Sequence, residues 1–228
     1  MLTILNSNFE EWRKANKTED TSKFPFNLKK MSVSGALFDM VKFNDVSKNV
    51  ISVMTAKQVY KLVTDWAMDY NEVLYALFVD DKEKATAILN IDRENPKPRK
   101  DIACWEEVEN YVSFFYNELY DADYTLPEHI KREDAIEILT KYKEVYSPDD
   151  SKEDWFNKIK ELCTACGYTP NVKEYKQNPD AFKGHVGDVS TIIRIAITSR
   201  TNTPDLYYIM QILGKDEVMR RIDNMIEG

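Results

Sequence analysis

Apolar residues recur along most of this chain at three- and four-residue intervals. That spacing places them on one face of an α-helix. Val59, Leu62, Val63 and Trp66 follow Thr55-x-x-Gln58, a capping-box pattern. Val73, Leu74, Leu77 and Phe78 repeat the stripe, and Ala85, Ile88 and Leu89 extend it. Pro96 and Pro98 then stop helix propagation, because proline removes a donor and clashes with the preceding turn. Asp101 is the expected N-cap of the next helix, whose stripe is Trp105, Val108, Val112, Phe115 and Leu119. A further helix is expected through Ala135, Ile138, Leu139 and Tyr142, and Ser147-Pro148-Asp149-Asp150 reads as a turn. Ser151 with Asp154 opens a helix carrying Trp155, Ile159, Leu162, Cys163 and Cys166, and Gly167 stops it. After a polar stretch, 168–187, come the apolar face of Val189, Ile192, Ile193, Ala196 and Ile197, with Arg194 off it. Thr203-Pro204-Asp205 predicts a helix start, with a capping hydroxyl, proline at the first position and an acid in the first turn. Leu206, Ile209, Met210 and Leu213 follow, Gly214 ends that helix, and Val218, Ile222 and Ile226 mark the last one. The first 54 residues are less regular, and no segment shows clean strand alternation. The pattern predicts an all-α protein of several short helical units behind an irregular N-terminal portion.

Composition fits this picture. The 228 residues are 43% hydrophobic and 31% charged, the balance of a globular chain rather than a disordered one. No apolar run approaches the roughly 20 residues of a membrane helix. The opening residues carry no basic, then apolar, leader pattern, so no secretory signal is expected. Three cysteines, an odd number, argue against a disulfide framework and for a reducing compartment.

The net charge of -8 is unevenly spread. Residues 1–62 hold 10 basic and 6 acidic side chains, residues 63–150 hold 10 and 22, and residues 151–228 hold 11 of each. Inside the acidic middle lies Arg93-Glu94-Asn95-Pro96-Lys97-Pro98-Arg99-Lys100, four cations in eight residues. Such a run is either a solvated loop or a local contact for phosphates and bases.

Little enzyme chemistry is encoded. His129 and His185 are the only histidines, far apart, so no histidine-rich metal site is expected. Cys163-Thr164-Ala165-Cys166 lies within a helical stripe and lacks the second ligand pair of a zinc ribbon, so its thiols are expected to be structural. No phosphate-binding glycine loop is present, and no carboxylate spacing singles out a catalytic pair. No catalytic residue is expected, and the residues point to a binding module.

Two blocks carry a more specific signal. Met31-Ser32-Val33-Ser34-Gly35-Ala36-Leu37-Phe38-Asp39-Met40-Val41-Lys42-Phe43 is similar to V-S-x-G-x-x-F-D-x-x-K-L. Further on, Arg194-Ile195-Ala196-Ile197-Thr198 is similar to L-R-x-A-L-T-G, and Thr203-Pro204-Asp205-Leu206 to T/S-P-x-L. Ile212-Leu213-Gly214-Lys215-Asp216-Glu217-Val218-Met219-Arg220-Arg221-Ile222 is similar to L-L-G-K-E-x-x-L-x-R-L. In this order and spacing, the blocks resemble the C-terminal half of bacterial glutamyl-tRNA synthetases, class I aminoacyl-tRNA ligases. Two departures stand out. The H-I-G-H-type motif of the family's nucleotide-binding half has no match. Lys30-Met31-Ser32-Val33-Ser34 only imitates the K-M-S-K-S loop, since Val33 replaces its second lysine. Also, Ser199 stands where the family often has glycine.

The resemblance implies a stem-contact segment over 1–62 and two helical anticodon-binding subdomains over 63–125 and 126–228. It implies that Arg194, Thr203, Pro204 and Leu206 lie at the base-reading surface. Arg99 matches an arginine that contacts the first anticodon base. In the family, arginine there goes with glutamate-only charging, and glutamine with charging of the glutamine tRNA as well. An arginine suits such a role, because its planar fork both donates bidentately and stacks. Lys29, Lys30, Lys42, Lys48, Lys97 and Lys100 are candidate phosphate ligands. On this reading the chain is a monomeric, cytoplasmic, tRNA-binding portion of a glutamate–tRNA ligase, a piece of a longer enzyme. Its partners are the tRNA for glutamate and the catalytic domain, with no DNA or membrane. It would use no cofactor itself, since ATP and magnesium belong to the catalytic half. The alternatives are a free-standing tRNA-binding paralogue and a helical protein-interaction module. The last predicts that Arg99, Arg194 and Thr203 do not converge on one concave surface.

Overall fold

A computed structural model describes residues 7–16, 19–31 and 39–228. Most of the block 31–43, including Ser32, Val33 and Ser34 of the imitation of the K-M-S-K-S loop, therefore lies outside the described residues. Twelve α-helices are present among the described residues: α1 (Phe9–Ala15), α2 (Met40–Ser52), α3 (Ala56–Tyr70), α4 (Glu72–Asp80), α5 (Lys82–Asn90), α6 (Glu107–Val112), α7 (Arg132–Val145), α8 (Lys152–Ala165), α9 (Val172–Gln177), α10 (Val186–Thr198), α11 (Leu206–Leu213) and α12 (Lys215–Glu227). No strand occurs among them, only an isolated parallel bridge between Thr169 and His185. The all-α expectation holds. No described helix is long and apolar enough to cross a membrane.

The first helical unit shows how local chemistry subdivides a continuous apolar stripe. Thr55 and Gln58 form both halves of the capping box that opens α3. Val59, Val63 and Ala67 face the core, whereas Leu62 is exposed. The stripe then breaks twice. Asn71 accepts from the Leu74 N–H and Asp81 accepts from the Lys84 N–H, so each caps a new helix. A side-chain cap of this kind contributes about 1 kcal/mol, which favours a turn where two helices can then fold back on each other. Leu74, Phe78, Ala85, Ile88 and Leu89 thereby reach one core. The expected boundary at 62/63 falls inside α3, because this core needs the whole of that helix.

Asp101 does not cap the next helix. Helix α6 begins only at Glu107, and the Asp101 carboxylate is instead bound to Arg99. The Glu107 carboxylate accepts from the Ala103 N–H at 2.6 Å, which holds the preceding turn. Arg93 is likewise turned inward. It donates to the carbonyls of Leu89 at 2.6 Å, Ile51 at 2.8 Å and Met54 at 3.2 Å, and burial lowers its pKa. The basic run 93–100 is thus not uniformly solvated.

The second unit follows the sequence closely. Ser151 caps α8, and Ala135, Ile138, Leu139 and Tyr142 are buried on α7. The Trp155 indole donates to the Tyr142 hydroxyl at 2.9 Å, which donates in turn to the Met210 sulfur at 3.3 Å. Gly167 takes a φ of 81° at the end of α8, a conformation that favours glycine. Cys163 and Cys166 are buried, and burial pushes the Cys163 thiol up to about 12. So high a value suppresses thiolate at neutral pH, which fits the structural role. The polar stretch hides α9, a short helix capped by Asn171. At Thr203-Pro204-Asp205 the expected cap is displaced. Asp205 is the N-cap of α11 and accepts from the Tyr207 N–H at 3.0 Å, while Thr203 and Pro204 precede the helix.

The two units share one hydrophobic cluster, pinned by a buried arginine. Arg221 on α12 is 0% exposed. It donates to the Phe114 carbonyl at 2.7 Å, the Ile197 carbonyl at 2.6 Å and the Glu217 carboxylate at 2.5 Å. Its guanidinium carbon lies 3.8 Å from the Tyr120 ring centre. Burial works against an ionised Glu217, but hydrogen bonds from Arg220 and Arg221 outweigh it and hold its pKa below the ordinary value. The N-terminal part is looser. Helix α1 buries no residue, and Phe9, Trp12 and Phe24 pack edge-on into their own small cluster.

Arg221→Ala should lower the unfolding free energy by about 3–5 kcal/mol, as expected when one partner of a buried charged network is removed. Urea unfolding of the two chains checks this. Glu217 stabilises the fold above its unfolded pKa near ~4.3, and that contribution is lost as pH falls through its lower folded value. Glu217→Gln should therefore be less stable than the parent at neutral pH. The difference should shrink through the acid range in a pH series of urea midpoints.

Candidate functional site

The loop 199–205, between α10 and α11, meets the segment 92–101 of the first unit. Ser199 starts that loop in the left-handed region, with a φ of 57°, where glycine would be easier. Its hydroxyl compensates, accepting from the Asp123 N–H at 2.9 Å and bonding the Tyr120 hydroxyl at 2.9 Å. Arg200 donates to the Asn110 carbonyl at 2.5 Å, to the Asn110 side chain at 2.7 Å and to the Ser113 hydroxyl at 3.0 Å. Across the seam, Asp92 has a φ of 62° and its carboxylate accepts from the Asp205 N–H at 3.0 Å. The loop is therefore fixed at both ends to the first unit.

Arg194 projects from α10 beneath this loop. Its Nη1 donates to the Thr203 hydroxyl and, at 3.1 Å, to the Pro204 carbonyl. Thr203 passes a hydrogen bond on to the Pro204 carbonyl at 2.9 Å. Burial lowers the Arg194 pKa, partly offset by the attraction of Asp205, while nearby Arg99 lowers it further. Thr203, Pro204 and Leu206 are all buried, so the exposed members of the loop are Thr201 and Asn202. The Thr203 hydroxyl is thus spent on Arg194 rather than on capping a helix.

Arg99 approaches from the other side. Its Nε and Nη2 grip Asp101 at 2.6 and 3.0 Å, and Nη2 reaches the Asn202 side-chain oxygen at 3.4 Å. Hydrogen bonding to Asp101 raises the Arg99 pKa. With side-chain exposure of 32%, Arg99 keeps an open edge. The structure thus brings Arg99, Arg194 and Thr203 to one seam, with Asn202 as the link.

The lysine candidates divide. Lys29 and Lys30 sit exposed in the turn Leu28–Lys30, and Lys97 and Lys100 are exposed near Arg99. Lys48 lines a cleft with Arg93, Arg99 and Tyr111. Lys42 pairs with Glu10 at 3.3 Å. Lys29, Lys30, Lys48, Lys97 and Lys100 form no ion pair among the described residues. No group of three or more metal-ligating side chains occurs among the described residues. Asp92, Asn202 and Arg200 escaped the sequence reading. Asp92 and Asn202 are residue types that tolerate turns, which was their only signal.

Residues 173–226 match the family described as anticodon binding domain. The likeness extends further. The chain is 44% identical over 226 residues to a glutamate–tRNA ligase of Acetivibrio thermocellus, covering 99% of this chain and 41% of the relative. With a glutamate–tRNA ligase of Clostridium perfringens the figures are 45% over 226 residues, 97% and 41%. The crystal structure of a glutamate tRNA ligase from Elizabethkingia meningosepticum shares the fold, with a TM-score of 0.60 and 19% identity over 98% of this chain and 39% of that one. The chain is homologous to the C-terminal, anticodon-binding part of bacterial glutamate–tRNA ligases. It spans about two fifths of the length of the curated relatives it matches.

Thr203→Val removes one of the two acceptors of a half-buried guanidinium and should destabilise the chain by about 1.5–3 kcal/mol. Faster hydrogen exchange should be confined to residues 199–206, which mass spectrometry of the two chains would register.

Proposed function

We propose that this chain binds the tRNA for glutamate as the anticodon-reading part of a glutamate–tRNA ligase. The observation that carries the reading is the convergence of Arg99 and Arg194, from two helical units, on either side of Asn202 and Thr203. Unstacked loop bases suit such a surface, because arginine donates to base edges and stacks on their faces. Arg99, the more open of the two, meets an anticodon base. Arg194, Thr203, Pro204 and Leu206 support this surface from beneath, with Thr203 and Pro204 holding the Arg194 guanidinium in place. Lys29, Lys30, Lys42, Lys48, Lys97 and Lys100 neutralise phosphates and carry no sequence information. The acidity of residues 63–150 limits indiscriminate binding to other nucleic acids.

The remainder of the ligase joins glutamate to the tRNA through an adenylate made from ATP with magnesium, in the cytoplasm. This chain supplies no group to that chemistry and uses no cofactor of its own. Its presence selects which tRNA reaches the catalytic domain. Arginine at position 99 sets the enzyme to the glutamate tRNA alone.

Binding of the chain to glutamate tRNA and to a copy with a changed anticodon, across a salt series, tests the reading. The changed copy should bind at least about tenfold more weakly at every salt concentration. Equal, salt-sensitive binding of both would leave only attraction to phosphates and overturn it. In the full-length ligase, Arg99→Gln should raise charging of the glutamine tRNA relative to the glutamate tRNA. An unchanged ratio removes Arg99 from the discrimination.

A further inference from the structure

Residues 62–73, which close α3 and open α4, hold the acids Asp65, Asp69 and Glu72 and no cation. Leu62, Trp66 and Tyr70 stand at four-residue intervals, so they share one side of α3 with Asp69. The Trp66 and Tyr70 rings stack 5.7 Å apart at 22°. Trp66 is partly buried against the core, but Tyr70 is 74% exposed and Leu62 is exposed as well. Asp69 and Glu72 form no ion pair among the described residues, and Asp65 has only the exposed Lys61, a weak pairing. Asn71 donates to the Glu109 carboxylate at 2.5 Å, which brings a fourth acid to the same end of α3. An apolar strip rimmed by carboxylates repels phosphate and suits a partner that is both cationic and apolar. The chain itself carries such a segment. Residues 23–31 hold three lysines and no acid. Phe26 and Leu28 are exposed there beside the unpaired Lys29 and Lys30, and Asn27 holds the turn by accepting from the Lys29 N–H at 2.9 Å.

We propose that the strip of Leu62, Trp66 and Tyr70 is a docking surface for residues 26–30 of a second copy of this chain, in place of the monomer expected from the resemblance. Phe26 and Leu28 cover the strip, and Lys29 and Lys30 meet Asp69 and Glu72. A lysine over an indole or phenol ring adds cation–π attraction. Every copy carries both halves, so two copies related by a two-fold axis make the contact twice. Each contact is small, which puts the association in the weak, transient class and makes it sensitive to salt. The surface shares no residue with the seam at Arg99 and Arg194, and the inference does not depend on the RNA reading. Where Lys29 and Lys30 also hold phosphates, bound RNA excludes the second copy.

Sedimentation equilibrium of the full chain, across a concentration series at low and at high salt, tests the proposal. At low salt the weight-average mass should rise above 26.7 kDa toward twice that value, and high salt should weaken the association at least about tenfold. Asp69→Lys with Glu72→Lys, and separately Lys29→Glu with Lys30→Glu, should each weaken it at least about tenfold, because like charges then face each other. An equimolar mixture of these two variants should recover it, since each reversed surface then meets its opposite. Tyr70→Ser and Leu28→Ser should each weaken it about 3- to 10-fold through lost apolar burial. A parent that stays at 26.7 kDa at every concentration overturns the proposal and leaves the strip to a basic segment of another protein. Association that ignores the charge reversals, or a mixture that stays monomeric, overturns it as well. Where a reversed variant loses helical content by circular dichroism, Tyr70→Ser and Leu28→Ser decide, and unchanged association in both overturns it.

Discussion

One buried charge holds the two helical units in register. Arg221 is fully enclosed, so its guanidinium must find partners inside the protein or remain costly to bury. It finds the Phe114 carbonyl in the first unit, the Ile197 carbonyl at the end of α10, and Glu217 one turn back on its own helix. The two carbonyls belong to helix or turn ends, whose acceptors lack partners of their own. A single side chain thus satisfies orphan groups on both sides of the seam. Tyr120 covers its face. Apolar packing between the units would be tolerant of small rotations, whereas these hydrogen bonds are directional.

That register has consequences a few ångströms away. The Ile197 carbonyl that Arg221 holds lies two residues before Ser199, where the chain turns left-handed into the loop 199–205. From there Arg200, Ser199 and Asp205 attach the loop to the first unit through four separate residues, Asn110, Ser113, Asp123 and Asp92. Arg194 braces it from below. The loop is therefore rigid at its root and open at Asn202. Such a site presents donors on a fixed frame, so little ordering cost accompanies ligand binding.

The legible and illegible parts of the fold separate by mechanism. Capping boxes, serine caps and glycine stops were readable, because each acts within one turn of its own helix. Thr55, Ser151 and Gly167 behave as their local chemistry requires. Asn71 and Asp81 could have been read the same way, but a continuous apolar stripe masks the breaks they make. Asp101 and Thr203 looked like caps and are not, because each found an arginine instead: Asp101 binds Arg99 two residues back, and Thr203 binds Arg194 on the preceding helix. An arginine fork binds a carboxylate or hydroxyl more strongly than a backbone N–H does. Arg93 and Arg221 were equally opaque: a cation in a charged or amphipathic stretch reads as surface until its carbonyl partners are known.

By itself the sequence determined the all-α class, most helices, the apolar faces and the family resemblance. Those features rest on short-range periodicity and on residue types at fixed offsets. Tertiary structure alone decided which arginines are structural and which stay open, and that Asp92, Asn202 and Arg200 belong to the seam. These depend on pairs such as Arg99 with Asn202 and Arg221 with Phe114, separated by roughly a hundred residues. Hydrogen bonds between such pairs form only after the helices have packed, and no local pattern records them.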